Sequence, residues 1–499
     1  MTVETGVNHK AALLMAIAGG MSFGSHQSIT SGIMEEQPWS DFDASLRGLM
    51  SSSVLIGATI GALVGGTISD KIGPKRLAII CSIWMIVCTI VMSIQSHIAL
   101  FITFRILDGL PVGVLTVIGP LYVSEQCSSK RRGTIGAMWQ MSVCLGILVD
   151  YLLNLAFHAV KGGYHYEFGI IGIFPIILLI GLFFCPESSG YLSKKSKAKT
   201  DEDKTNPKTD APQQTTEPET AQPTETVTSS YPSTSDDEAP QHETVDPERR
   251  PEGDTYRGEE AEQATPEQNT QEVAQIGRED AEEEEISFCG ALFYSKRAFI
   301  VGVVLALMGQ LSGCNAIVMY SPSMFAEAGV VGQVAKLSCT VGVGGWNLLS
   351  TILAVFMVDC LGRKPLLTAG FSCMGVGHLL VVLSTVIPAL EDKKWALSIP
   401  GLFLFVFGFE IGPGPCFFVL VSELYPVKVR GTAMSVMLTL NWIANVVIVQ
   451  LYPSLVLWMT TRWVFTMFTI LCAVTIVFII FVVKETKGKS LDEITKQKK

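Results

Sequence analysis

The stretch VSEQCSSKRRGT, from Val123 to Thr134, returns as VSELYPVKVRGT, from Val421 to Thr432. Ser124-Glu125, Lys130 and Arg132-Gly133-Thr134 are matched by Ser422-Glu423, Lys428 and Arg430-Gly431-Thr432, each 298 residues later. Glu187 and Glu485 keep that offset, and each ends its half. Asp70 with Gly73 and Asp359 with Gly362 recur after the second apolar run of either half. Chance supplies one such match but hardly an ordered set. The chain reads as two copies of one unit.

Composition names the solvent. Of 499 residues, 48% are hydrophobic and 16% charged, where soluble domains carry about 25% charge. The stretches 77–93, 170–184, 370–387 and 464–483 are almost free of charge. A helix of about 20 apolar residues crosses a hydrocarbon core of about 30 Å. That pattern along the whole length excludes a soluble enzyme. The twelve cysteines form no C-x-x-C pair. Most, including Cys81, Cys88, Cys144, Cys339 and Cys472, read as small core residues inside apolar runs. The first apolar run holds Ser22, Ser25, His26, Gln27 and Ser28, too polar for a cleavable signal core, and reads as a retained first span.

Spans are expected at 10–32, 47–69, 77–96, 98–123, 134–157, 168–185, 298–320, 334–358, 365–388, 396–422, 433–457 and 463–483. Basic connections alternate with others. Lys71 to Arg76, Lys130-Arg131-Arg132, the run at 194–199, Arg363-Lys364, Lys428 with Arg430, and the run at 484–489 fall on one side. Glu35-Glu36, Asp41 and Asp43 fall on the other, where Glu391-Asp392-Lys393-Lys394 is a mixed exception. The positive-inside rule puts both termini and the central loop in the cytosol, which requires an even number of spans. The predicted fold is an all-α membrane protein of twelve transmembrane helices in two pseudo-symmetric six-helix halves. Residues 1–192 form the first half and 291–484 the second, with a loop at 193–290 between them and a tail at 485–499.

The loop changes character. Residues 200–285 hold 26 acids and 6 bases among many Thr, Pro, Gln and Ser. Such a segment buries too little apolar surface to offset its ordering entropy and is expected to be disordered and cytosolic. It reads as a solvated linker, or as a docking segment for a cytosolic partner or kinase at Ser233-Thr234-Ser235-Asp236-Asp237-Glu238.

Several amides lie inside apolar runs: Gln140, Gln310, Asn315, Asn347, Asn441 and Asn445. An amide both donates and accepts while staying neutral, which suits a polyhydroxylated ligand at membrane depth. Polar groups there are costly and face the bundle interior. Asn441 and Asn445 share a helix face, with Trp442 beside them. The alternative is that these amides tie neighbouring helices together. Gly412-Pro413-Gly414-Pro415 breaks a span, either as a hinge or as a fixed kink. Arg105 is expected to partner an acid or a carbonyl.

The ordered motifs extend this. They are Gly66…Asp70-Lys71-Ile72-Gly73-Pro74-Lys75-Arg76, Arg105…Gly109…Gly113, Pro120-Leu121-Tyr122…Glu125…Arg132-Gly133 and Pro186-Glu187-Ser188 in the first half. The second half has Gln310-Leu311-Ser312-Gly313-Cys314-Asn315…Tyr320, Asp359…Gly362-Arg363-Lys364-Pro365, Phe409-Glu410-Ile411-Gly412-Pro413-Gly414-Pro415, Glu423…Pro426…Arg430-Gly431 and Glu485-Thr486-Lys487-Gly488. With these motifs the membrane portion resembles the sugar porter family of the major facilitator superfamily. It departs from the family pattern at Gly309, Met319, Phe418 and Ser189-Gly190-Tyr191.

The resemblance implies that Gln140, Gln310, Asn315, Asn347, Glu410, Asn441, Trp442 and Asn445 line a sugar site. It also implies a charge network between the halves, closing the cytosolic side, from Glu125, Arg132, Glu187, Arg363, Glu423, Arg430 and Glu485. Asp70, Lys75 and Arg76 belong to the same belt, and Tyr320, Pro413 and Pro415 to the gate. Proton-coupled relatives carry an aspartate after Phe-Gly-Tyr in the first helix. Here the stretch is Phe23-Gly24-Ser25-His26, which favours facilitated diffusion of a hexose such as glucose, with His26 the one candidate for coupling. Rival readings are a proton-coupled sugar or polyol/inositol symporter and a non-transporting sugar sensor. No motif calls for a cofactor, a metal or nucleic acid. The expected membrane is the plasma membrane.

Overall fold

The computed structural model describes residues 8–34, 39–127, 132–188, 190–192, 195–196, 290 and 292–487, without the side chains at 40, 132–134, 358–359 and 427–428. The candidate kinase segment at 233–238, Lys130-Arg131 and the tail from 488 lie outside the described residues. The described chain is helical, and glycine and proline set where its helices stop. The first span runs from α1 (His9–Leu14) through a π turn at Met15–Gly19 into α2 (Gly20–Ser28) and α3 (Thr30–Ile33). Then follow α4 (Ala44–Ile72), α5 (Pro74–Ile94), α6 (Ile98–Gln126), α7 (Arg132–Phe157), α8 (Gly163–Ile171) and α9 (Ile173–Phe183), the last two forming one bent span. The second half repeats the plan with α10 (Lys296–Leu311), α11 (Cys314–Glu327), α12 (Gln333–Leu361), α13 (Arg363–Val386), α14 (Trp395–Ile411), α15 (Pro413–Leu424) and α16 (Val427–Val482).

Among the described residues, ten helical stretches are long and apolar enough to cross a bilayer. The first span escapes that count because it is broken into short pieces. The stretch Val429–Val482 has 54 residues, about 80 Å of helix, too long for one crossing. Inside it Thr460 (φ 64, ψ 157) turns the chain, which makes two spans of one. The result is the twelve-helix fold read from the sequence.

Lipid and core are told apart by what each helix exposes. On α5, Ile80, Ile83, Val87, Ile90 and Ile94 form an exposed stripe, as do Ile470, Val474, Val477 and Phe481 at the end of α16. In a bilayer such stripes face hydrocarbon at no cost, because every backbone group is satisfied within its helix.

Small residues bring α4 and α6 into backbone contact. A Cβ on Gly57 would sit 2.0 Å from the Ile106 carbonyl oxygen, and one on Gly109 would sit 2.0 Å from that of Val54. This is the small-residue packing by which membrane helices associate.

The corners between α4 and α5 and between α12 and α13 carry Gly73 (φ 95) and Gly362 (φ 91). An L side chain is strained at such angles, and its Cβ would also approach Glu187 Oε2 at 2.8 Å or Glu485 Oε2 at 2.9 Å. The repeated Gly and the repeated Glu are therefore one device, used once in each half.

Candidate functional site

Two helix breaks position the site. Gly313 (φ 96) separates α10 from α11, with Gln310 just before the break and Asn315 just after it. Gly412 separates α14 from α15, with Glu410 just before it. Broken backbone at membrane depth is tolerated where it is buried in protein, and it brings polar side chains to mid-span.

A chain of amides crosses from one half to the other. Gln27 Nε2 on α2 donates to Asn315 Oδ1 at 2.6 Å. Asn315 Nδ2 donates to Gln310 Oε1 at 2.9 Å, and Gln310 Nε2 to Asn441 Oδ1 at 3.3 Å. Asn441 Nδ2 closes on the Ala306 carbonyl at 3.2 Å. A second polar line runs from α7 to α14. Gln140 Nε2 lies 3.8 Å from Cys144 Sγ, which lies 3.1 Å from Thr351 Oγ1. Thr351 donates to Glu410 Oε2 at 2.8 Å, and Gln140 also faces that carboxyl. Asn347, Trp442 and Asn445 are buried. Among the described residues, Asn347 Oδ1, Trp442 Nε1 and Asn445 Oδ1 have no partner, although buried polar atoms are nearly always paired. These orphaned groups and the amide line offer donors and acceptors without fixed charge, and the second line adds the Glu410 carboxyl, a set that hydroxyls match.

Toward the end opposite the basic turns, further contacts tie the halves. Tyr151 Oη donates to the Val318 carbonyl at 2.6 Å. Arg47 Nη2 reaches Ser323 Oγ at 3.4 Å, and Ser52 Oγ donates to Gln450 Oε1 at 2.6 Å. Within the second half, Tyr320 Oη donates to the Val449 carbonyl at 3.0 Å, with its ring stacked 5.2 Å from that of Tyr452. The backbone at Tyr320 leaves helical geometry (φ −118, ψ 18), two residues before Pro322.

At the basic end the charged groups fall into two matching clusters. Glu187 accepts from the Lys75 amide at 2.9 Å, and Ser188 Oγ donates to Glu125. In the second half Glu485 accepts from the amides of Arg363 and Lys364, each at 3.0 Å, and Thr486 Oγ1 donates to Glu423. Arg363 pairs with Glu423 at 2.9 Å, and Arg430 Nε donates to the Tyr425 carbonyl at 3.3 Å. The sequence reading places a network between the halves at this end; among the described residues, these contacts are each made within one half. Asp70 and Arg76 are exposed beside the first cluster. The Arg132 side chain lies outside the described residues. Pro413 and Pro415 open α15 directly after the Gly412 break.

Both glutamates sit at helix N-termini, where amide hydrogens and the helix dipole favour an anion. Burial pushes the Glu485 carboxyl up, but the amides of Lys487, Arg363, Lys364 and Thr486 outweigh it and hold its pKa below the ordinary glutamate value. A carboxyl with a depressed folded pKa stabilises the fold above its unfolded pKa of about 4.3. That contribution is lost as pH falls through the lower folded value. Glu485→Gln is therefore expected to lower the melting temperature at pH 7, with the difference closing at acid pH. Equal melting at pH 7 would contradict the anchor.

Residues 11–235 and 254–497 match the family described as sugar (and other) transporter. The chain belongs to this sugar transporter family. The transporter is 28% identical to the glucose transporter GlcP of Staphylococcus epidermidis, over 98% of this chain and 96% of that one. It is 30% identical to the galactose-proton symporter of Escherichia coli K12, over 89% and 84% of the two chains. Its fold matches the inward-open conformation of the xylose transporter XylE from E. coli with a TM-score of 0.68, at 21% identity, over 98% and 99% of the two chains. The transporter is a multi-pass membrane protein of the major facilitator fold.

The transporter's first half also buries an ionisable cluster. His26 Nδ1 lies 2.9 Å from both oxygens of Asp108. Arg105 Nη1 donates to the His26 carbonyl at 2.7 Å and lies 3.5 Å from Asp108 Oδ2, so it partners both a carbonyl and an acid. Ser28 Oγ donates to Asp150 Oδ2 at 2.6 Å, and Asn154 Nδ2 to Glu167 Oε2 at 2.7 Å. His26, Arg105, Asp108, Asp150 and Glu167 are all fully buried. The sequence reading weighed His26 and Arg105 but passed over the three acids and Gln27. The visible signal was an acid inside an apolar run, with Asp108 one turn after Arg105. A cleft of about 380 Å³ in the transporter's second half, lined by Glu327, Lys394 and Arg462, opens at the far end of α11 and α13, apart from the amides.

Proposed function

We propose that the chain carries a hexose across the membrane by alternating access, without chemistry on the sugar. The observation that carries this reading is the amide line Gln27–Asn315–Gln310–Asn441, which joins the two halves at mid-depth beside the orphaned polar atoms of Asn347, Trp442 and Asn445. Sugar-transporting relatives, one named for glucose and one for galactose, support a hexose.

The positive-inside rule supports a cytosolic basic end with both termini on that side, and the plasma membrane is the default setting of the proposal. The conformation seen here is then closed to the outside by Tyr320, Tyr151 and Gln450. In the outward-facing state, Glu125, Glu187, Arg363, Glu423, Arg430 and Glu485 exchange some intra-half partners for partners across the basic end, where Arg132 joins them. A state change of this kind needs contacts that differ between the two states, and the Gly412-Pro413-Gly414-Pro415 break gives α15 freedom to move relative to α14.

Gln310→Ala is expected to raise the KM for glucose. It leaves Asn315 Nδ2 and Asn441 Oδ1 without their partner, a loss of about 1–3 kcal/mol, or roughly 5- to 150-fold. Kinetics unchanged from the parent protein at equal surface abundance would remove Gln310 from the site.

The absence of an acid at position 26 supports facilitated diffusion. The buried cluster favours a second reading, proton coupling. His26, Arg105, Asp108, Asp150 and Glu167 lie together at membrane depth, fully buried, where ionisable side chains mark ion and proton pathways. A protonophore separates the readings: glucose uptake is insensitive to it under facilitated diffusion, and accumulation against a gradient collapses under coupling.

A further inference from the structure

Gln27 lies on the first span, in the half opposite Gln310, Asn315 and Asn441, and is buried. Its bond to Asn315, at 2.6 Å, is the link of the amide line that crosses between halves, and it is shorter than the 2.9 and 3.3 Å links within the second half. A bond between α2 and α11 cannot outlast a movement that parts the halves there. A second observation comes from the same helix face. Phe23, one turn before Gln27, packs edge-on against Trp442 with ring centroids 6.0 Å apart, and Trp442 Nε1 is one of the orphaned groups. The face of α2 that carries Gln27 therefore borders both the amide line and the indole.

We infer that Gln27 is a sugar-contacting residue that sets selectivity for one hydroxyl, supplying an amide from the first span to the amide line whose other members belong to the second half. One hydroxyl inserted between the two side chains accepts from Gln27 Nε2 and donates to Asn315 Oδ1, so the bond that is lost is replaced by two. A carboxamide is suited to this because it keeps a free acceptor for a neighbouring hydroxyl while its donor is engaged. The inference rests on the sugar-transport reading. A purely structural brace between α2 and α11 would have the same bond length, but it would not distinguish one sugar from another.

The test compares the parent protein with Gln27→Ala and Gln27→Asn, using glucose and its monodeoxy analogues as substrates in hexose-transport-deficient cells, alongside melting in detergent. Gln27→Ala is expected to raise the glucose KM roughly 5- to 150-fold while changing the KM of one deoxy analogue little, so discrimination at that hydroxyl falls. Gln27→Asn, with the same donor and acceptor on a shorter stem, is expected to keep part of the discrimination. A uniform KM shift across all analogues, or a change in melting alone, would overturn the inference and leave a brace. No uptake of any analogue by the parent protein at the surface would overturn the sugar reading and this inference with it.

Discussion

Asp108→Ala is expected to destabilise the transporter by about 3–5 kcal/mol, because it removes one partner of a fully buried ion pair and leaves the other charged. Arg105 would keep only the His26 carbonyl, and its Nε and Nη2 have no partner among the described residues to begin with. His26 Nδ1 would lose both carboxylate contacts. The expected result is a melting temperature several degrees lower and a poor yield of monodisperse protein. Asp108→Asn, which keeps the shape and one acceptor, should lose less. The double change Arg105→Leu with Asp108→Leu should recover part of the loss, since apolar side chains of similar size often replace a buried pair at little cost. A single alanine variant as stable as the parent would show that Arg105 is compensated elsewhere.

The second large effect falls on the crossing of α4 and α6. Gly109→Val should prevent the first half from packing. The new Cβ meets the Val54 carbonyl oxygen at 2.0 Å and the Ala58 amide nitrogen at 2.9 Å. Both are backbone, so no side chain can rotate away and the helices must separate. Overpacking in a tight core costs about 1–3 kcal/mol, and here separation also breaks the matching approach of Gly57 to Ile106. Size-exclusion chromatography should show the monodisperse peak lost. Gly169→Val is the control: a Cβ there has no atom within 4 Å, and the peak should persist. Loss of the peak in both variants would mean that valine in a helix, not the crossing, is responsible.

The halves were legible because duplicated residues keep duplicated partners. Glu125 with Ser188 and Glu423 with Thr486 make the same contact, as do Glu187 and Glu485 at the glycine corners. The amides of the second half were legible because a neutral polar side chain in an apolar helix announces a buried role. Gln27 was not, because its partner lies 288 residues away and its neighbours Ser25, His26 and Ser28 make it one polar residue among several. Asp108 and Asp150 could have been read, since an acid at membrane depth is costly and calls for a partner. The state of the basic end was not legible, because a carrier's sequence encodes both of its states and the structure holds one. The boundary between the last two spans, expected between 457 and 463, falls at Thr460.

The most direct measurement is uptake of radiolabelled glucose in cells lacking their own hexose carriers, with the transporter quantified at the surface and a protonophore present or absent. The account predicts saturable uptake that unlabelled D-glucose competes away and L-glucose does not, insensitive to the protonophore and weakened by Gln310→Ala. No saturable uptake from a protein shown to be at the surface would contradict hexose carriage.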